Sequence, residues 1–66
     1  MTIILNGEAR PIEAGATVAQ LLAALALEPR KVAIERNREI VSRSRYPETE
    51  LADGDVIEVV TFVGGG

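Results

Sequence analysis

The sequence predicts a small α+β domain, with one helix and a mixed sheet of about five short strands in a chain of 66 residues. One segment has apolar residues at helical spacing, and it is flanked by β-branched runs that end at turn residues. The first and last of these runs are apolar enough to be central strands of one sheet. With 47% hydrophobic and 26% charged residues, the composition is that of a folded globular chain.

The first two predicted strands form a hairpin. The β-rich run 2–5 is followed by Asn6-Gly7, which is the strongest short-range signal for a hairpin turn. The returning run, 8–14, is a poorer strand because Pro11 has no N–H to donate to a ladder. We therefore expect this second strand at an edge of the sheet.

The helix is predicted from about Thr17 to Leu27. Thr17 is suited to be the N-cap, and Gln20 three residues later completes a capping box. Pro29 stops any continuation. The apolar stripe has members at i, i+3, i+4 and i+7: Val18, Leu21, Leu22 and Leu25.

Three further strands follow the helix. The run 32–36 is predicted to turn at Asn37-Arg38 and to return as a short strand, 39–41. An irregular segment comes next, and we expect its Tyr46 and Leu51 to cover the core. A turn at 52–55 then leads into the final strand, 56–63, which is apolar on both faces except at Glu58 and Thr61.

Strand alternation divides the final strand into two faces. Ile57 and Val59 are expected to face the helix, which places Glu58, Val60 and Phe62 on the outward face. An exposed apolar pair beside the C-terminus would form a patch for docking a partner. We therefore predict a docking surface at these three outward residues.

Other apolar residues are interpreted as core only. They are the strand Met1–Leu5, the helix leucines, Ile12, Val32, Ile34, Ile40 and Leu51.

The composition excludes several kinds of chemistry. The chain has no cysteine and no histidine, so disulfides, zinc sites, thiol nucleophiles and imidazole bases are excluded together. The net charge is −3 and there are only two aromatic residues, which argues against nucleic-acid binding. No signal peptide is recognisable at the start, and the longest apolar stretch is too short to span a bilayer. We expect a cytoplasmic protein without a metal or a membrane segment.

Charged residues cluster in two places. Six of the seven basic residues lie between Arg30 and Arg45. We interpret four of them as solvated loop and strand-end residues rather than a docking site: Arg36, Arg38, Arg43 and Arg45. The acidic segment Asp53–Asp55 is interpreted as a turn, since two carboxylates make a weak cation site.

The last residues raise the question of function. Gly64, Gly65 and Gly66 follow the final strand directly, and Gly66 carries the α-carboxylate. Glycine gains little from being ordered, but it can thread a channel too narrow for side chains. We therefore divide the chain into a domain, 1–63, and a glycine tail, 64–66.

The whole chain resembles the thiamine-biosynthesis sulfur carrier proteins, which have the ubiquitin-like β-grasp fold. The resemblance lies in the following segments: "LNG", "AGATVAQLL", "VAIERNREIV", "YPETEL", "DGDVIEVV" and the terminal "FVGGG". It implies the strand order 2-1-5-3-4, with the helix across one face and the first and last strands parallel neighbours. One departure is the additional glycine, Gly64, where two glycines are the minimal family ending.

The resemblance also implies a carrier and not an enzyme. A partner enzyme would use ATP to adenylate the Gly66 carboxylate, and sulfur would then replace AMP to give a thiocarboxylate. The implied partners are the adenylating enzyme, a cysteine desulfurase or sulfurtransferase as donor, and thiazole synthase as acceptor. No cofactor would be bound to the carrier itself, which we expect to be a monomer when alone.

Alternatives remain open at this point. The small subunit of molybdopterin synthase and the carriers for tRNA thiolation or cysteine synthesis share the tail. A ubiquitin-like protein modifier would join its tail to lysines, and an interaction module would leave it unused. The state of Gly66 distinguishes these: thiocarboxylate, isopeptide or unmodified.

Overall fold

The computed structural model describes residues 1–62 of the chain. Its regular elements, in chain order, are β1 (Thr2–Leu5), β2 (Glu8–Pro11), α1 (Val18–Ala24), β3 (Val32–Arg36), β4 (Glu39–Val41) and β5 (Val56–Thr61), with 3₁₀ turns at Pro29–Lys31 and Arg43–Arg45.

The five strands form one mixed sheet in the order β2-β1-β5-β3-β4. β1 and β5 run parallel in the centre of the sheet, while the β1–β2, β3–β5 and β3–β4 pairs are antiparallel. β2 is an edge strand, as Pro11 predicts. This is the β-grasp order implied by the resemblance, so the predicted fold class is confirmed.

Both predicted tight turns are present. Asn6 and Gly7 have φ of 48° and 84°, and Asn37 and Arg38 have φ of 53° and 71°. Two successive residues with positive φ are the signature of the type I′ turn, whose twist matches that of the strands it joins. Arg38 is the one long side chain among the four, and it takes a conformation that glycine adopts at lower cost.

The helix begins as predicted and ends earlier than predicted. Thr17 Oγ1 accepts from the Gln20 N–H at 3.2 Å, and Gln20 Oε1 accepts from the Thr17 N–H at 2.9 Å, so the capping box is formed. The last helical residue is Ala24 and not Leu27. The helix is seven residues long.

A Schellman motif explains the early end of α1. Ala26 takes φ of 57°, and its N–H donates to the Ala23 carbonyl at 3.0 Å. The Leu27 N–H then reaches back to the Leu22 carbonyl at 2.9 Å. This pattern is usually made by glycine at the position that Ala26 occupies. Because alanine stands at this position, no residue at 26 signals the end of the helix.

The core lies between α1 and one face of the sheet. Among residues 1–62, nine apolar residues are buried: Ile3, Val18, Leu21, Leu22, Val32, Ile34, Tyr46, Leu51 and Ile57. Tyr46 and Leu51 cover the core as predicted. Leu5, Leu25 and Val59 are half-buried and pack against this cluster.

Two residues interpreted as core lie elsewhere. Ile40 is 79% exposed, so that interpretation was wrong. β4 is an edge strand of three residues, and Ile40 pairs with Glu35 on the outward face of the sheet. Ile4 is half-buried outside the core cluster, because it pairs with the exposed Val56 on that same outward face.

A buried carboxylate ties the β3–β4 turn to the start of β5. Asp55 Oδ2 accepts from Arg36 Nε and from the Ala52 N–H, both at 2.8 Å, and its Oδ1 accepts from Asn37 Nδ2 at 3.1 Å. Asn37 Oδ1 in turn accepts from the Val56 N–H at 2.9 Å. The network holds the end of β3 in register with the start of β5.

The environment of Asp55 lowers its pKa. Burial by itself would raise the pKa of Asp55, but the hydrogen bonds from Ala52, Arg36 and Asn37 and the charge of Arg36 outweigh it. A carboxylate whose pKa is lowered by folding stabilises the fold above its ordinary pKa. That contribution is lost as the pH falls through the folded-state pKa.

Asp55→Asn is expected to lower the free energy of unfolding at pH 7 by about 1–3 kcal/mol, because an amide has one acceptor oxygen where two are used. The difference between wild type and variant should shrink as the pH falls below about 4, where the carboxylate of the unfolded chain begins to protonate, and should be lost as the pH falls through the lower pKa of the folded protein. Urea denaturation at pH 7 and at pH 3 measures both values. A difference that does not depend on pH would contradict this account.

Ala26→Gly is expected to stabilise the protein by about 1 kcal/mol, since glycine adopts positive φ without a steric penalty from Cβ. Ala24→Gly is the matched control, because Ala24 is helical and the same change should destabilise by about 1 kcal/mol. Denaturant midpoints of both variants provide the measurement. Equal effects of the two substitutions would disprove the assigned helix end.

Candidate functional site

The candidate site is the C-terminal end of β5 with the outward face around it. Gly64, Gly65 and Gly66, the residues predicted to carry the chemistry, lie outside the described part of the chain, and the predicted division at residue 63 is likewise untested there. The structure describes β5, the strand that precedes this tail in the sequence. The contacts that hold β5 in the sheet therefore define the position of the candidate site.

One side of the end of β5 is fixed by β3. Thr61 pairs with Val32, and the Phe62 N–H donates to the Lys31 carbonyl at 2.8 Å. The chain is thus held in the sheet up to Phe62. The last described residue therefore belongs to the sheet and not to a loop.

The other side is held by a side chain. β1 pairs with β5 only at Ile4–Val56 and Leu5–Ile57, because it ends at the hairpin turn. Beyond this point the Asn6 side chain takes the place of a strand. Its Oδ1 accepts from the Val59 N–H at 2.8 Å and its Nδ2 donates to the Val59 carbonyl at 3.2 Å.

The faces of β5 are as predicted. Ile57 is completely buried and Val59 packs against the core, whereas Val60 and Phe62 are 57% and 59% exposed. Val60 pairs with Ala33 of β3, a small residue that leaves the valine uncovered. The structure thus brings the apolar pair together beside the start of the tail.

Two carboxylates lie in the middle of this outward face. Glu58 is exposed, and it pairs directly with the half-buried Glu35 across the β3–β5 ladder. Ile40 pairs with Glu35 on the other side and is exposed as well. Like charges directly opposite one another are unfavourable in an isolated sheet. The outward face therefore combines an apolar end near the tail with an acidic centre.

Sequence reasoning found Glu58 but not its partner Glu35, nor the role of Asn6. Pairing of Glu35 with Glu58 depends on the register of two strands that are distant in sequence, and no local pattern specifies it. The sequence predicts Asn6 only as a turn residue. It does lie in the hairpin turn, and in addition its side chain binds the main chain of Val59. Of the arginine segment, Arg36 is bound to Asp55, and Arg38, Arg43 and Arg45 are exposed.

Little else in residues 1–62 offers a site for chemistry. No group of three or more acidic residues in this range could hold a metal ion, and no helix in it has the length and apolarity needed to cross a bilayer. Two open grooves of about 320 and 540 Å³ lie between β4 and the following loop and between β2 and α1. Neither is lined by a residue of β5.

Comparison with known proteins identifies the family. The family model of the ThiS family matches residues 3–66, which includes the tail. The chain belongs to the ThiS family. The sulfur carrier protein ThiS of Bacillus subtilis is 56% identical over 50 residues, which are 76% of each chain. The ThiS protein of Thermus thermophilus is 42% identical over 62 residues, covering 94% of this chain and 95% of its own.

A solved structure supports the same assignment. The crystal structure of the thiamine biosynthesis protein ThiS from Geobacter metallireducens aligns over the full length of both chains, with a TM-score of 0.85 and 32% identity. The ubiquitin-like fold and the ThiS assignment therefore agree with each other.

Some relatives of this ThiS-family chain are much longer than the chain itself. Two thiazole synthases, from Paramagnetospirillum magneticum and Magnetococcus marinus, are 48% and 52% identical over all 66 residues. The chain spans about a fifth (20%) of the length of these two relatives. A domain of this kind thus occurs within proteins called thiazole synthase.

Phe62→Ala is expected to change the free energy of unfolding by less than about 0.5 kcal/mol, because the ring is mostly exposed and contributes little to the core. Leu22→Ala is the contrasting variant. Leu22 is completely buried, so its truncation should cost about 2–5 kcal/mol. Urea denaturation compares the two, and a large loss of stability in Phe62→Ala would show that the ring packs in the fold.

Proposed function

We propose that this chain is a sulfur carrier protein of thiamine biosynthesis and that the C-terminal carboxylate of Gly66 carries the sulfur. The observation that supports this most directly is the ThiS family match, which extends through the glycine tail to residue 66. Within residues 1–62, no group of three or more acidic residues could hold a metal ion, and the apolar residues Val60 and Phe62 are exposed at the end of β5. A carrier whose chemistry is at its end fits both observations.

Sulfur has to be attached to the carboxylate in two steps. The α-carboxylate is ionised at neutral pH, since its ordinary pKa is about 3.3–3.7, and it is unreactive toward a sulfur nucleophile. In the first step a carboxylate oxygen attacks the α-phosphate of ATP and pyrophosphate leaves. In the second, the terminal sulfur of a donor persulfide attacks the acyl-adenylate carbon and AMP leaves, and a thiol then cleaves the remaining S–S bond, so that the donor sulfur leaves as a disulfide with that thiol. The product is a thiocarboxylate on Gly66.

The sequence of the chain leaves one position for this sulfur. There is no cysteine, so a thiol or a persulfide cannot hold it. A carboxyl group can, and the α-carboxylate is the one at the end of a segment free of side chains. Lacking Cβ atoms, Gly64, Gly65 and Gly66 can enter a narrow channel over a reach of roughly 10 Å.

The entropy cost of ordering the glycine tail lowers the affinity of the carrier for its partner enzymes. Ordering three glycines costs roughly 3–6 kcal/mol at about 1–2 kcal/mol per residue. Contacts elsewhere have to offset this, and the outward residues Val60, Phe62 and Glu58 are the surface available next to the tail. A carrier that visits several enzymes benefits from the modest affinity that results.

Each partner is defined by the chemistry that the carrier requires. An adenylating enzyme supplies the ATP step, and the carrier itself binds no cofactor and catalyses no reaction. A cysteine desulfurase or sulfurtransferase supplies sulfur, and thiazole synthase accepts it. The thiazole synthases that contain a similar 66-residue segment support that last assignment. We propose that the carrier works as a monomer in the cytoplasm.

Deleting Gly66 is expected to abolish thiocarboxylate formation while the domain stays folded. The shortened tail still ends in glycine, but its carboxylate is displaced by up to about 3.5 Å, and adenylation is steeply sensitive to position. Intact and shortened proteins are incubated with the adenylating enzyme, ATP and a sulfur donor, and each is weighed by mass spectrometry. Only the intact protein should gain the mass of one sulfur in place of one oxygen, at Gly66.

Two controls make this assay specific. Phe62→Ala keeps the full tail and should be converted more slowly, because a lost hot-spot contact weakens association by about 2 kcal/mol. A mixture containing a lysine-bearing protein tests for an isopeptide instead. Conversion of the shortened protein at the wild-type rate, or an isopeptide as the product, would rule out the proposed function.

A further inference from the structure

The edge of β5 that faces β1 is open at its C-terminal end. Val56 and Phe62 direct their main-chain groups toward β3, since the Val56 carbonyl accepts from Asn37 and the Phe62 N–H donates to Lys31. Main-chain groups alternate in direction along a strand. Those of Ile57, Val59 and Thr61 therefore point toward β1.

The first two of these three positions are occupied. The Ile57 carbonyl accepts from the Asn6 N–H at 2.9 Å, and both main-chain groups of Val59 are bonded to the Asn6 side chain. Thr61 comes next, about 6.6 Å further along the strand. No other residue among 1–62 makes a hydrogen bond to the N–H or the carbonyl of Thr61. Thr61 is exposed as well.

We propose that the open edge at Thr61 pairs with an extended main-chain segment of thiazole synthase, which adds a short strand beside the start of the tail. This inference rests on the proposed function, because it concerns the enzyme that would receive the sulfur. One donor and one acceptor in the plane of the sheet match the backbone of an extended segment better than a side chain or a small molecule. Val60 and Phe62 flank this edge with exposed apolar surface.

The open edge at Thr61 differs from the outer edges of the sheet because it lies close in sequence to Gly66. β2 and β4 also have open edges, but they lie at the two sides of the sheet, and Pro11 interrupts the first. Thr61 is five residues before Gly66, a reach of at most about 18 Å. A strand added there would keep the end of β5 extended and would aim the tail. Thiazole synthase is the favoured occupant because two such enzymes contain a segment like this whole chain.

The test compares two variants at one position. Thr61→Pro removes the N–H that points to the open edge, and proline is tolerated at such an edge position. Thr61→Val removes the hydroxyl and keeps the N–H, so it is the matched control. Binding of each protein to thiazole synthase is measured by calorimetry. We expect Thr61→Pro to bind about five- to tenfold more weakly than wild type and Thr61→Val to bind within about twofold of it.

Hydrogen exchange provides a second measurement that needs no variant. In the free protein the Val59 amide should exchange slowly and the Thr61 amide quickly. Binding of thiazole synthase should slow exchange at Thr61 by at least about tenfold, as a new strand hydrogen bond does. Unchanged exchange at Thr61 in the bound protein, together with equal affinities of the two variants, would overturn the proposal. Absence of any binding would overturn it too.

Strand pairing at Thr61 and thiocarboxylate formation at Gly66 can be tested separately. Thiocarboxylate formation at Gly66 requires the adenylating enzyme and is read by mass, whereas the edge is tested with the unmodified carrier and thiazole synthase alone. A carrier that forms the thiocarboxylate but leaves Thr61 unprotected contradicts the edge alone. A carrier that protects Thr61 but never gains sulfur contradicts the carrier function alone.

Discussion

The parallel pairing of β1 with β5 is the constraint on which the rest of the structure depends. It joins the two ends of the chain in the centre of the sheet, yet it contains only two residue pairs. Main-chain bonds from both sides reinforce it: the Ile4 N–H donates to the Asp55 carbonyl at 2.8 Å, and the Gly54 N–H donates to the Thr2 carbonyl at 2.7 Å. Ile3 and Ile57 are both fully buried members of the core cluster, so the two paired strands each contribute a side chain to the core.

A short central pair has consequences for both ends of β5. At its start, Asp55 and Asn37 bind the strand to the β3–β4 turn through side chains. At its end, Asn6 replaces the missing residues of β1 at Val59, and nothing described replaces them at Thr61. Along β5, polar side chains therefore bind main-chain groups that have no strand partner at Val56 and Val59, but not at Thr61.

The sequence predicted those parts of the fold that depend on local patterns. Strand geometry was enough to place Ile57 on one face of β5 and Val60 and Phe62 on the other, because successive side chains of any strand point to opposite faces. β4 has three residues, too few to show which face is buried, and so Ile40 was placed wrongly in the core. The capping box at Thr17 has a sequence signature, whereas Ala26 at positive φ has none. The contacts of Asn6, Glu35 and Asp55 join residues far apart in sequence, and only the folded register brings them together.

The two faces of the sheet serve different purposes, and a chain of this size has few other choices. A domain of about 60 residues buries only about 60% of the surface that its unfolded chain exposes, and here one helix covers one face of the sheet. The uncovered face then holds Val60, Phe62 and the Glu35–Glu58 pair, which a solitary domain has no structural need for. Under the proposed function, we interpret them as a surface that a partner covers. A partner cation placed there would relieve the repulsion between the two glutamates, so the acidic centre would favour partners that carry one.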